Sequence, residues 1–599
     1  MIWGEYNQTV MPNKNIPNTL TIFIVICALL SACASQTAVT PPVVPASPTT
    51  YVSNIPVEFV TSTPSPIGLN ISNAVPVSLR EQAQAWNIPA NAFVDLDVST
   101  SGATGNGMQL QWVYALVAPF PTVTDGVTFD ELKLAWTNGT VPAPFNGHPL
   151  LMDESTLAAF TAIWGAPATG SVRSVPADQL LETAWMELPS WAIIPFELLE
   201  PKWKVLTVDG QSPIRKNFDQ AQYPLIVPFT LQTSSDLQPS AFIPHPSNYD
   251  PAKLTTVIMT GVTALVRATA LTMEVKGVKY PGEMIRDVML EADIAHVSNE
   301  IPFYAGCPYP NPNQTALVFC SDPRYIELLT DVGTDVIELT GNHFADRGAV
   351  GMIQTIDIYK ENNLPYFGGG LDREDSLKPA LFEVNGNKIA FIGCNRPDTG
   401  NFPTATDERP GAAPCEFQYL SDKVAQLKSE GYIVISTFQW NESYDNQPHV
   451  LQVKDFRFMA DSGADIVSGS QAHYAQKMEF YNSSFIHYGL GNLFFDQMGD
   501  QAWMPRGIRR EFLDRYVIYD GKFISAELIT ALLEDYSRPR LMTDQERAKF
   551  LAEYFYYSGW TSLEPTLTPT ITPTLTPLPI PPLAGTPDLL PSNTPSPSP

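Results

Sequence analysis

Basic residues are scarce in this chain. Its 599 residues carry 35 Lys and Arg against 62 Asp and Glu, a formal net charge of −27, so the long-range field repels phosphate backbones. Nucleic acid is thereby a poor partner class. Cysteine is sparse too, with six. No G-x-x-x-x-G-K-[ST], G-x-S-x-G or C-x-x-C occurs, which argues against P-loop nucleotide binding, an α/β-hydrolase nucleophile and thioredoxin-like redox chemistry. Beyond the first forty residues no apolar run is long enough to span a bilayer.

What is present begins with a leader. Asn18 to Ala32, NTLTIFIVICALLSA, is apolar and uncharged, with Lys14 just upstream. Such a run is short for a membrane span and suits a signal h-region. Leu30, Ser31, Ala32 and Cys33 follow the cleavage pattern of a bacterial lipoprotein signal, in which the cysteine thiol takes the lipid. The expectation is a signal over 1–33, lipidation at Cys33, and a working part held at the membrane on the extracytoplasmic face. An uncleaved anchor leads to the same compartment. Met11, followed by PNKN, begins a more ordinary signal than Met1.

Segment 34–74 is rich in Pro, Ser, Thr and Val, and 563–599 repeats TPT, TLTP and PSPSP. Neither has the apolar content to offset ordering entropy, so a tether and a tail, the latter a spacer or a glycosylated stalk, are expected. The rest is long enough for more than one core, since single cores rarely exceed about 250 to 300 residues. Two folded regions are expected, 75–245 and 254–535, with a helical, aromatic segment over 536–562.

In the first region, GMQLQWVYALVAPF (107–120) reads as a strand and TFDELKLAWTNG (128–139) as a helix opened by a Thr128–Glu131 capping box and stopped by Gly139. WAIIPFELL (191–199) reads as strand then turn, and YPLIVPF (223–229) as a further strand. These phrases, with AIIPFELLEPKWKVLTVDGQSP (192–213), resemble part of a phosphate-type solute-binding protein. A smaller α/β domain like one periplasmic-binding-protein lobe is implied.

In the second region, EADIAHVSNE, VGTDVIELTGNHFADRG, NKIAFIGCN, GYIVISTFQW, GADIVSGSQAHYAQKMEFY and SFIHYGLGNLFFDQ are apolar strands that end in polar or glycine residues. Strand ends in α/β proteins are where side chains converge on a ligand. In this order, with Gly341-Asn342-His343-x-x-Asp346-x-Gly348 and the phrase from His487 to Asp496, they resemble the CapA family of exported capsule or poly-gamma-glutamate synthesis proteins. The resemblance implies a calcineurin-like metallophosphatase α/β/β/α sandwich and a role in capsule or poly-gamma-glutamate handling, with an anionic envelope polymer such as polyglutamate as partner.

The implied metal ligands are eroded. Where the family pattern has Gly-Asp, Gly261 is followed by Val262; Gln439 and Gln471 stand in place of histidines. Glu300, Asn342, His343 and His473 remain, a set that at best holds one divalent ion, manganese or zinc. His343, Asp346 and His473 are the candidate catalytic residues. Each also has a plain reading: Asp346 pairing with Arg347 or Arg267, His473 a satisfied core-edge residue, Glu300 merely solvated. Arg267, Arg396 and Asn492 are candidate substrate-binding residues, and Asp293, Glu442, Tyr444 and Asp496 are further candidates to line a metal-free pocket. A non-catalytic binding protein for an anionic polymer or small solute is the competing reading.

Cys307 and Cys320, and Cys394 and Cys415, form two close pairs in the body. In an exported chain an even number suits disulfides, although spacing alone leaves free buried thiols open.

Overall fold

A computed structural model describes residues 68–99, 107–243, 245–396, 404–470, 472–499, 504 and 507–561. The leader, Cys33, the tail and Gln471 lie outside them. Among the described residues no helix is long and apolar enough to cross a membrane.

The first unit is built on a nine-stranded sheet. Its main path runs Gly68–Ile71, Phe93–Val98, Ile226–Thr233, Gly107–Pro119, Ala192–Pro195, Leu150–Met152, Val172–Ser174, and Trp203–Val208 pairs with the far end of Gly107–Pro119. Gly68–Ile71 falls inside the segment expected to be tether. It is a strand because it pairs in parallel with Phe93–Leu96 and packs Leu69 and Ile71 on the core. The helix Phe129–Asn138 has the expected capping box, with Thr128 accepting from the Glu131 N–H and Gly139 closing it at φ 70°. The phrase HPSNYD (245–250), between the two units, is tied down: Asn248 bonds the Val113 backbone in both directions, and Tyr249 is buried.

The second unit is a four-layer sandwich, and strand alternation shows why. In Leu254–Met259, Val257 and Met259 point into the core between two sheets, whereas Ile258 points to a helical layer outside. In Asn387–Asn395, Ile389 and Phe391 face the same central core and Ala390, Ile392 and Cys394 face the opposite helical layer. Strands buried on both faces read as continuous apolar runs.

One sheet has Tyr366–Phe367, Val336–Glu338, Ile294–Asn299, Leu254–Met259, Arg510–Tyr519, Lys522–Glu534 and Arg538–Leu541 in that order. The other has Ala380–Val384, Asn387–Asn395, Ile433–Gln439, Ile466–Gly469, Ser484–His487 and Met478–Tyr481. Helices Arg267–Lys276, Ile326–Asp331 and Gly348–Glu361 cover the first, and Phe417–Ser429 and Val450–Asp461 cover the second. The helix Asp544–Tyr557 packs Phe550, Leu551, Tyr554 and Phe555 into the central core. Phe120 of the first unit enters that core as well, its ring 5.1 Å from Phe480 and 5.5 Å from Trp560.

Both disulfides are formed, Cys307–Cys320 and Cys394–Cys415.

Candidate functional site

The parallel strands Ile294–Asn299, Val336–Glu338, Ile433–Gln439 and Ile466–Gly469 all end on one side of the sandwich, and their loops carry the candidates. Close backbone approach brings the loops together. The Val262 N–H donates to Gly491 O at 3.0 Å and the Leu493 N–H to Val262 O at 2.7 Å, and a Cβ on Gly261 would lie 1.9 Å from Gly491 O. On Gly341 it would lie 2.7 Å from Glu300 O. Only glycine fits where two backbones touch.

Asn342 and Gln439 meet across the two sheets, Gln439 Nε2 donating to Asn342 Oδ1 at 2.9 Å. His473 Nδ1 lies 2.9 Å from Asn492 Oδ1. From there a chain of polar contacts runs on: Asn492 Nδ2 donates to Gln497 Oε1 at 3.0 Å, Gln497 Nε2 to the Tyr444 hydroxyl at 3.2 Å, and that hydroxyl to Glu442. Glu442 Oε1 returns to within 3.8 Å of His473 Nε2, and Tyr444 stacks on the His473 ring at 5.5 Å. The result is a closed polar ring, the kind of network in which each satisfied member holds the others.

His343 Nδ1 contacts Asp346 Oδ2 at 2.7 Å, and the same carboxylate oxygen accepts from the Phe319 N–H at 2.7 Å. Asp346 thus pairs with His343 rather than with Arg347 or Arg267. Burial pushes the His343 imidazole down, but the Asp346 hydrogen bond and the nearby charges of Glu300 and Glu442 outweigh it and hold it above its ordinary value. Glu300 is 2% exposed, so it is buried and not solvated. The helix after His343 begins at Gly348.

The structure therefore brings Glu300, His343, Glu442 and His473 into one neighbourhood, with Asn342 and Asn492 beside them. Arg267 is placed differently. Its Nε donates to Asp496 at 3.1 Å and its Nη2 to the other carboxylate oxygen, while Phe319 and Phe495 flank the guanidinium at 5.3 and 5.1 Å. The fork expected for a ligand is taken up by Asp496, which also accepts from the Ala268 N–H at 3.0 Å. Arg396 donates from Nε to Asp455 at 3.0 Å and keeps 37% of its side chain exposed. Asp293 sits at the other end of its strand, where it accepts from the Thr256 N–H at 2.8 Å and pairs with Lys216 at 2.7 Å. The strand between it and Asn299 rises about 3.3 Å per residue, which carries Asp293 away from the cluster.

A metal ion finds a poor donor set here. Asn342 Oδ1 accepts from Gln439, His473 Nδ1 faces Asn492, and Val262 packs in an apolar cluster with Ala264, Val266, Ile301, Phe319 and Phe495 where the resemblance implies a carboxylate. Among the described residues no three His, Cys, Asp or Glu side chains are grouped to hold an ion. His343 keeps a carboxylate on Nδ1 that orients Nε2, and His473 keeps an amide oxygen in the same place. A two-metal centre needs carboxylates and imidazoles on both ions, and this set does not fit it.

Beneath the cluster lies a polar network that sequence reading missed. Glu338, fully buried, accepts from the Thr340 hydroxyl at 2.6 Å and the Ser470 hydroxyl at 2.8 Å, and lies 3.1 Å from His296 Nε2. Burial pushes the Glu338 carboxyl up, but these contacts outweigh it and hold it below its ordinary value. The available signal was a charged or imidazole residue inside an otherwise apolar strand, IAHVSN and VIE.

Residues 256–497 match the family described as bacterial capsule synthesis protein PGA_cap. This segment is similar to that family. The PGA biosynthesis protein CapA of Bacillus subtilis (strain 168) is 32% identical over 173 residues, 29% of this chain and 45% of that protein, so the match spans less than half of the relative's length. Among solved structures, the NAD nucleotidase of Haemophilus influenzae is similar with a TM-score of 0.30 and 11% identity, over 50% of this chain and 55% of that one. An ABC-type phosphate transport receptor from Vibrio cholerae is similar with a TM-score of 0.21 and 12% identity, over 25% and 70%.

Proposed function

We propose that this chain is an exported envelope lipoprotein, anchored through Cys33 on the extracytoplasmic face, that takes part in capsule or poly-gamma-glutamate handling through a degenerate, metal-poor PGA_cap site. The site acts by binding rather than by hydrolysis. The observation that carries the reading is the pairing of amide and imidazole groups with one another, Asn342 with Gln439 and His473 with Asn492, at the strand ends where metal ligands would converge.

The chemistry suits a polymer of amide-linked glutamates. Side-chain amides offer donor and acceptor together, so Asn342, half-buried at the mouth of the cluster, suits the repeated amide groups of such a chain, while the buried Gln439, Asn492 and Gln497 hold it and its neighbours in place. Arg396, partly exposed, offers a guanidinium to its carboxylates. Glu300 and Glu442 repel carboxylates at the centre, which favours the amide backbone there and the acidic groups at the rim.

The test uses the full-length chain. Titrated with poly-gamma-glutamate it binds, Asn492→Ala and Arg396→Ala each weaken the binding, and neither the polymer nor a phosphodiester is cleaved in added Mn²⁺. Cleavage dependent on His343 and His473 overturns the binding-only reading. Palmitate labelling that persists in Cys33→Ala overturns the anchor.

A further inference from the structure

Away from the strand-end cluster, where Trp203–Val208 of the first unit meets Lys522–Glu534 of the second, the seam encloses a cavity of about 210 Å³. Four cations, Lys204, Arg215, Arg515 and Arg547, line it against two carboxylates, Asp125 and Glu527. Each carboxylate is shared. Asp125 takes Lys204 at 2.8 Å and Arg547 at 2.9 Å, and Glu527 takes Arg215 at 2.7 Å and Arg515 at 2.8 Å. Arg515 has a further partner in Glu291 at 3.1 Å. In a chain of net charge −27 the wall of this cavity is short of negative charge.

Donors remain. Lys204 spends its hydrogens on Asp125 and on the Thr122 and Val123 carbonyls at 2.7 and 3.0 Å, so it contributes charge alone. Arg215 reaches Glu527 through Nη2, and Arg547 reaches Asp125 and the Val123 carbonyl through Nη1; no acceptor among the described residues takes their other guanidinium N–H groups. Both side chains are partly open, at 27% and 20% exposure. Two residues of the wall, Ser212 and Thr530, have buried hydroxyl oxygens with no hydrogen-bond partner. Buried polar atoms in native proteins are nearly always paired, and an orphan marks a missing partner.

We propose that this seam cavity binds a small dianion of the phosphate or short dicarboxylate class, gripped by the forks of Arg215 and Arg547, with Ser212 and Thr530 completing the cradle. Guanidinium groups pair with the oxygens of such anions through two parallel hydrogen bonds. Because Arg215 belongs to the first unit and Arg547 to the second, the ligand ties the two together. Burial pushes the Lys204 amine down to about 8, with Asp125 opposing and Arg547 adding to the fall; a bound anion raises it. The site is separate from the strand-end cluster, so the two readings stand or fall independently.

Calorimetry on the full-length chain decides the matter, with inorganic phosphate, glutarate and the uncharged glutaramide as probes. Saturable one-site binding of phosphate or glutarate, and none of glutaramide, is expected, and the stronger of the two anions identifies the class. Arg215→Gln and Arg547→Gln each weaken it roughly tenfold or more. Ser212→Ala, which removes a hydroxyl with no partner in the fold, leaves the circular dichroism spectrum unchanged and weakens binding a few fold. Absence of saturable binding by either anion up to about 10 mM overturns the proposal, as does binding that is indifferent to all three substitutions.

Discussion

Gln439 and Asn342 share a hydrogen bond of 2.9 Å, donated by the Gln439 amide to the Asn342 carbonyl oxygen, across the gap between the two sheets of the sandwich. The bond ties a strand end of one sheet to a loop of the other. In Gln439→Ala the half-buried Asn342 carbonyl loses that donor, which costs about 0.5–1.5 kcal/mol. Chemical denaturation of the variant checks the figure, and a loss near zero means the pair contributes nothing to the fold.

Val262 lies in an apolar cluster and is 1% exposed. Val262→Asp puts an unpaired carboxylate there and lowers stability at neutral pH by about 3–5 kcal/mol. If the site takes a divalent ion readily, Mn²⁺ restores the variant's melting temperature. No recovery is expected, because Gln439 and Gln471 leave the site short of imidazole ligands.

Glu338 anchors the network under the site. Its carboxyl is held below the ordinary value, so its contribution is complete above the unfolded value near about 4.3 and fades as pH falls through the lower folded value. Glu338→Ala strands His296, Thr340 and Ser470 and costs about 3–5 kcal/mol at pH 7. The difference between wild type and variant shrinks in acid; a pH-independent difference speaks against the ionised carboxylate.

His343 behaves in the opposite sense. Its folded value is raised, so stabilisation by its charge is present below the unfolded value near about 6.5 and is lost as pH rises through the folded value. Histidine NMR titration shows its midpoint above the ordinary value, and Asp346→Asn lowers it. A midpoint unmoved by that substitution assigns the shift elsewhere.

Cys307 and Cys320 close a loop that carries Phe319, whose ring lies 4.9 Å from His343. Removing both sulfurs as serines releases a 13-residue separation and costs about 2–4 kcal/mol in a denaturant titration. No loss indicates that the loop is held by its other contacts.

The sequence was most legible where local chemistry decides the outcome. The Thr128–Glu131 capping box and the apolar runs ending in polar residues are local signals, and the helix and strands stand where those signals put them. Glu300, His343 and His473 come from separate strand ends and stand in one neighbourhood. What sequence could not supply is pairing at a distance. Asp496 engages Arg267 across 229 positions and Glu338 meets Ser470 across 132, and nothing local to any of the four residues names its partner. Asp293 was misplaced because a strand phrase was treated as one spot, although its two ends lie on opposite sides of the sheet.

On the proposed reading the strand-end cluster binds its ligand without a metal. Elemental analysis of the full-length chain, prepared without a histidine tag and dialysed against Mn²⁺ and Zn²⁺, tests it directly. Far less than one ion per chain is expected, unchanged in His343→Ala with His473→Ala. One or two tightly held ions per chain, lost in that double variant, contradict it.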